Sequence, residues 1–98
     1  MNEYSYEWDD QKNKRNRQKH NVSFEEAIHI FKDETAILLH DPDHSKNEER
    51  FLLLEISPHN RLLVVCHSYC DKEATIRIIS VRKATPREWR DYVERQST

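Results

Sequence analysis

Residues 76–89, IRIISVRKATPREW, place Arg77, Arg82 and Lys83 in what otherwise reads as an apolar strand. Strand alternation puts Ile76, Ile78, Ser80 and Arg82 on one face and Arg77, Ile79, Val81 and Lys83 on the other. Branched apolar residues on both faces predict a strand buried on both sides. An unpaired buried cation is expensive, so three in one strand ask for an anion. Arg50 opens an earlier strand segment, and His67 lies near the end of the strand between. In a hairpin meander Arg50, His67 and Arg82 can meet near one edge of the sheet, where they form a cationic pocket beside a titratable imidazole. Such a set holds an anion and moves a proton. The bland counterpart is an internal ion pair for each arginine, with Glu48, Glu49 or Glu55 as the acids available.

Other chemistries find less support. The six histidines and two cysteines, Cys66 and Cys70, fall into no C-x2-C or H-x3-H spacing, so no metal site is predicted. The chain has no glycine, which excludes a phosphate loop. No Ser-His-Asp signature is present, and Cys66 reads as an inert thiol inside an apolar strand. His20 closes a basic helix, where the dipole favours a cation, so it serves equally as a proton donor or a simple C-terminal cap. His29 reads as a surface residue. Trp89 reads as core, and Trp8, beside two acids, as the more open tryptophan.

Sixteen basic against eighteen acidic residues give a net charge of −2, and the pI is near 6.3. The distribution is uneven. Lys12, Lys14, Arg15, Arg17 and Lys19 fill one helical stretch with no acid among them, and Arg77, Arg82, Lys83, Arg87 and Arg90 form a second block. A near-zero total can therefore hide a positive face. Like charges at helical spacing repel, so the first helix gives up stability for its basic surface.

The elements that must position these groups follow from periodicity. YSYEW (4–8) reads as a short edge strand. DDQKNKRNRQKH reads as a helix with acids first and cations last, stopped by Asn21 in the left-handed conformation. Ser23 and Glu26 form a capping box for a second helix, whose apolar stripe is Phe24, Ala27, Ile28 and Phe31. Four strands follow at 35–40, 50–57, 61–69 and 74–82, linked by a polar loop and two hairpins. TPRE then caps a C-terminal helix with Pro86 in its first turn. Lacking glycine, the turns fall to Asn21, Asn47, Asn60 and Asp71. The sum is one small α+β domain over residues 1–98: an antiparallel sheet of about four strands, with two N-terminal helices and one C-terminal helix packed on one face and part of the sheet left open.

Ninety-eight residues with 36% hydrophobic content allow only a modest core. The polar first twenty residues hold no signal peptide, and the longest apolar run, RLLVVCH, is too short for a membrane. The expectation is a cytoplasmic protein with reduced thiols.

Three segments together, YEWDDQKNKRNRQKHNVSFEEA, DPDHSKNEERF and IRIISVRKATPRE, resemble the BrnT family, the toxin halves of type II toxin–antitoxin pairs. The resemblance runs from about Tyr6 to Tyr92, with Asn21 where the family usually has glycine. It implies a fold similar to the RelE toxins and a ribonuclease that needs no cofactor. It also implies a BrnA-like ribbon-helix-helix antitoxin, in a 2:2 complex that reaches operator DNA through the antitoxin. Cleavage by a ribose 2′-hydroxyl builds negative charge on the phosphorane and the leaving oxygen. Arginines aimed at that charge each contribute roughly 3 kcal/mol, by analogy with an oxyanion donor. On that footing Arg82 and Arg50 take the phosphate, His20 does acid–base work, and His67 is a reserve base. Trp8, Lys12, Arg15, Lys19, Arg77 and Lys83 bind RNA, with a structural role as the alternative for Arg77. Two other readings stand beside this one: a non-catalytic module acting only in an antitoxin–DNA repression complex, and a structural domain whose arginines satisfy internal acids.

Overall fold

A computed structural model describes residues 4–70 and 74–96. In chain order it contains β1 (Ser5–Glu7), α1 (Asp10–His20), α2 (Phe24–Phe31), β2 (Ile37–His40), a single 3-10 turn (Pro42–His44), β3 (Phe51–Ile56), β4 (Leu62–Cys70), β5 (Thr75–Lys83) and α3 (Pro86–Gln96). The strands form one five-stranded sheet in the order β1-β5-β4-β3-β2. Strand β1 joins β5 in parallel, and the other pairs are antiparallel. The edge strand expected at 4–8 thus adds a fifth, parallel member. No helix among the described residues is long and apolar enough to cross a membrane.

The caps are those the sequence requires. Asp9 accepts from the backbone N–H groups of Gln11 and Lys12, and Asn21 ends α1 at φ 58°. Ser23 Oγ accepts from Glu26 N. At α3 the box is reciprocal: Thr85 N donates to Glu88 Oε1, and Glu88 N donates to Thr85 Oγ1. Asn21 and Asn60 take positive φ as expected. Asp71 lies outside the described residues, and the other positive φ is at Ala74. Asn47 does not share that geometry; the 3-10 turn and Ser45 shape its loop instead.

The two faces of the sheet are covered unequally. Phe24, Ala27 and Ile30 of α2 pack with Leu53, Leu63, Val65, Ile76, Ile78 and Val81 in the main core. On the opposite face Tyr92 of α3 closes over Leu54, Leu62 and Val64, with Ile37, Leu39, Leu52 and Ala84 partly buried around them. The helices therefore flank the sheet rather than sharing one face, and of the apolar side of α3 only Tyr92 is buried, Trp89 and Val93 remaining exposed. Tyr92 is fixed there by donating to the buried Glu55, which also accepts from Thr35 Oγ1. Burial and that contact push the Tyr92 phenol up to about 12.

Helix α1 has no apolar stripe, and two buried asparagines anchor it. Asn13 accepts from Phe24 N and donates to Glu25. Asn16 donates to Val81 O at 2.8 Å and accepts from Val81 N at 3.2 Å, so its amide pairs with the β5 edge as a neighbouring peptide would. A second bond, to Val22 O, ties the α1–α2 junction to the same point. The side chain thereby continues the edge that three-residue β1 leaves unpaired.

Candidate functional site

The strand that was expected to be buried on both faces is not. Cys66 pairs with Ser80 and His67 with Ile78, so Ile79 is an extra residue in β5. Such a bulge changes which face the following residues point to. Ile76, Ile78 and Val81 all fall in the main core, whereas Arg77, Ser80 and Arg82 pair with Ser68, Cys66 and Val64 on the other face. Simple alternation wrongly grouped Arg82 with Ile76 and Ile78. The bulge instead gathers both β5 arginines on the face that α3 leaves open.

Arg50, just before β3, joins them. Its backbone oxygen accepts from Asp41 N at 2.9 Å, closing the loop between β2 and β3. Glu48 stands between Arg50 and Arg77, 3.8 Å from Arg50 Nε and 3.5 Å from Arg77 Nη1. Arg77 also lies 3.9 Å from Glu7. Arg50 Nε is buried and makes no hydrogen bond among the described residues. Arg82 is held by a bidentate pair with Glu88, at 2.7 and 2.9 Å. That bond holds the Glu88 carboxyl down to about 2, assisted by the Thr85 N–H, and raises the guanidinium further. Cys66 lies in the same field. Burial pushes its thiol up, against the charges of Arg50 and Arg82. It is half-buried on the arginine face rather than in the core, and its raised thiol pKa keeps it protonated. Among the described residues, no group of three or more His, Cys, Asp or Glu is placed to hold a metal ion.

The sequence model of one family, described as the ribonuclease toxin BrnT of type II toxin–antitoxin systems, matches residues 8–88. The chain belongs to the BrnT family. A solved relative agrees in fold: the 1.1 Å crystal structure of the Brucella abortus ribonuclease toxin BrnT superposes with a TM-score of 0.65 at 16% identity, covering 85% of this chain and 99% of that one. No curated protein matches the sequence.

Within this BrnT-family fold the predicted residues separate into groups. Arg50, Arg77 and Arg82 share the open face. Trp8, Lys12 and Arg77 line one cleft of about 260 Å³ where β1, α1 and β5 meet, with Glu7, Asp9 and Ile79. Trp8 also packs edge-on against Phe24, at 5.9 Å between ring centres. It is Trp89 that is exposed, at 40%; the expectation for the two tryptophans is reversed, because Trp8 follows β1 to the main core while Trp89 touches Tyr92 only edge-on, at 6.3 Å between ring centres, and leaves the rest of its surface to solvent. Arg15, Lys19 and Lys83 are exposed on α1 and at the end of β5. His20 is half-buried at the C-terminus of α1 and has no side-chain partner among the described residues.

His67 does not meet the arginines. It neighbours Cys66 along β4 and so points to the opposite face, where it is fully buried beside Phe31, Phe51 and Tyr69. Burial depresses its pKa to about 4, only partly offset by the Val65 carbonyl. Its ring nitrogens are taken by Val65 O and the Tyr69 hydroxyl, both at 3.2 Å. A sealed, neutral imidazole cannot serve as the reserve base.

The sequence offered Glu88 only as a cap, and Asp41 and His44 only as members of a polar loop and of the family motif, with no role of their own. A second cleft, lined by Asp43, His44, Lys46, Asn47, Glu48 and Arg50, lies in the β2–β3 loop. The available clue was DPDH itself, which sets a carboxylate and an imidazole three apart in a tight turn.

Proposed function

We propose that this chain is the endoribonuclease toxin of a type II pair, with Arg50, Arg77 and Arg82 forming its phosphate-binding face. The observation that carries the reading is the β5 bulge, which brings Arg77 and Arg82 to the open side of the sheet where Arg50, just before β3, already stands. A phosphorane builds charge that preorganised guanidinium groups stabilise strongly in a partly desolvated site. Trp8 and Lys12, in the cleft beside Arg77, supply a stacking surface and a backbone contact for the flanking nucleotide. Arg15, Lys19 and Lys83 extend the positive surface, and His20 is a more distant proton group. Attack by the 2′-hydroxyl needs only side-chain groups and no metal. A BrnA-like ribbon-helix-helix antitoxin, two copies bound to two toxins, covers this face until it is degraded and carries the complex to operator DNA. The setting is the cytoplasm.

The test is cleavage of an end-labelled RNA by the purified wild type and Arg82→Ala, both confirmed folded. Wild-type cleavage leaving 2′,3′-cyclic phosphate ends, reduced about 100-fold or more in the variant, is the expected result. Equal cleavage by the two proteins removes Arg82 from the site. The bidentate grip of Glu88 on Arg82 favours one competing reading, a non-catalytic module that only binds its antitoxin. That reading predicts repression without toxicity and no cleavage by either protein.

A further inference from the structure

Building on the ribonuclease reading, we infer that His44, oriented by Asp41, is the group that protonates the leaving 5′-oxygen. The six histidines differ sharply in what holds them. His67 is sealed on the wrong face. His40 gives its Nε2 to Glu49. His29 and His59 line a separate cleft beside α2 with Ser23 and Pro58. His20 lies at the end of α1, with no acid to orient it among the described residues. His44 alone combines an orienting acid with a place beside an arginine of the open face.

Its geometry suits the task. His44 Nδ1 lies 2.9 Å from Asp41 Oδ2, and the side chains are 66% and 13% exposed. A carboxylate can only accept, so the proton of that bond sits on Nδ1. Nε2 is left without a protein partner among the described residues, on a side chain that lines a cleft with Lys46, Glu48 and Arg50. The support is rigid for a loop. Ser45 Oγ donates to Asp41 O at 2.6 Å and accepts from Arg50 N at 2.9 Å. With the Asp41–Arg50 backbone bond, these tie the imidazole, its acid and the arginine to one closed turn. Asp41 also belongs to the charges that act on Cys66 together with Arg50 and Arg82, so the pair borders the arginine face. A largely buried acid behind an exposed imidazole is the arrangement that holds a catalytic histidine in one tautomer and one orientation.

The step balances as follows. The 2′-oxygen bonds to phosphorus and its proton passes to water. The bond from phosphorus to the 5′-oxygen breaks, its electron pair leaves on oxygen, and that oxygen takes the proton from His44 Nε2. The products are a 2′,3′-cyclic phosphate and a 5′-hydroxyl, and His44 regains its proton from solvent.

The experiment uses the full chain as wild type, His44→Ala, His44→Gln and Asp41→Asn, with melting curves to confirm folding. Each cleaves two RNAs: one natural, and one carrying sulfur in place of the 5′-oxygen at the mapped cleavage site. A thiolate leaves without a proton. Loss of the acid is expected to slow the natural RNA about 100-fold in both His44 variants, and less in Asp41→Asn, while the sulfur-bridged RNA is cut at near wild-type rate. His44 variants that cut both RNAs normally, or that fail equally on both, overturn the assignment while leaving the ribonuclease intact. A wild type that cuts neither RNA overturns the ribonuclease reading and this inference with it.

Discussion

The two faces of one sheet, built from the same strands, have opposite characters. On the α2 side, Leu63, Val65, Ile78 and Val81 exclude water so completely that even a histidine loses its charge. On the other side, Cys66, Ser80 and Ser68 alternate with those residues, and three arginines stand among acids, Arg82 gripped by Glu88 and Arg50 and Arg77 only loosely by Glu48. The difference does not come from strand composition, since β5 supplies both faces. It comes from the shift in register at Ile79 and from the limited reach of α3. One face is sealed along its length, and the other is covered only at the Tyr92 end and open at the arginines.

The contrast can be tested from its strongest consequence downward. Leu63→Ala opens a cavity in the sealed face and is expected to cost about 2–5 kcal/mol. Arg77→Gln, across the sheet, is expected to cost about 1 kcal/mol or less because its acids are exposed. Paired denaturant melts decide this, and equal losses would erase the distinction between the faces. Acid stability reports the same seal through His67. Above pH 6.5 the imidazole is neutral in both states, but between 6.5 and about 4 only the unfolded chain takes the proton. Stability therefore falls with falling pH, by about 3 kcal/mol over that window. His67→Gln is expected to flatten that slope, and an unchanged slope would place the titrating group elsewhere. The smallest effect belongs to Glu48, which stands between Arg50 and Arg77 where a phosphate would sit. Glu48→Gln is expected to tighten RNA binding roughly two- to fivefold with little change in melting temperature. Weaker binding in a filter assay would mean that Glu48 organises the arginines rather than competing for them.

Local signals were legible wherever the physics is local. The caps at Asp9, Ser23 and Thr85, the left-handed stop at Asn21 and the apolar stripe of α2 follow from neighbouring residues alone. Spacing paired Arg50 and Arg82 but grouped them with His67, which lies on the sealed face, and left Arg77 between an RNA-binding and a structural role. The anchoring of α1 was not legible, because Asn13 and Asn16 in a basic helix look like solvated residues until a strand edge and a helix N-terminus come within reach.

The sequence by itself determined the α+β class, the helix limits, the family and the inventory of cations and acids, since each rests on residue type and short spacing. Only the tertiary structure decided which face each cation occupies. One extra residue in β5 reverses the side-chain alternation beyond it, and neither composition nor period-two patterning registers a bulge that pairing with β4 creates. That shift carries Arg82 to the open face, and the alternation of β4 keeps His67 on the sealed one.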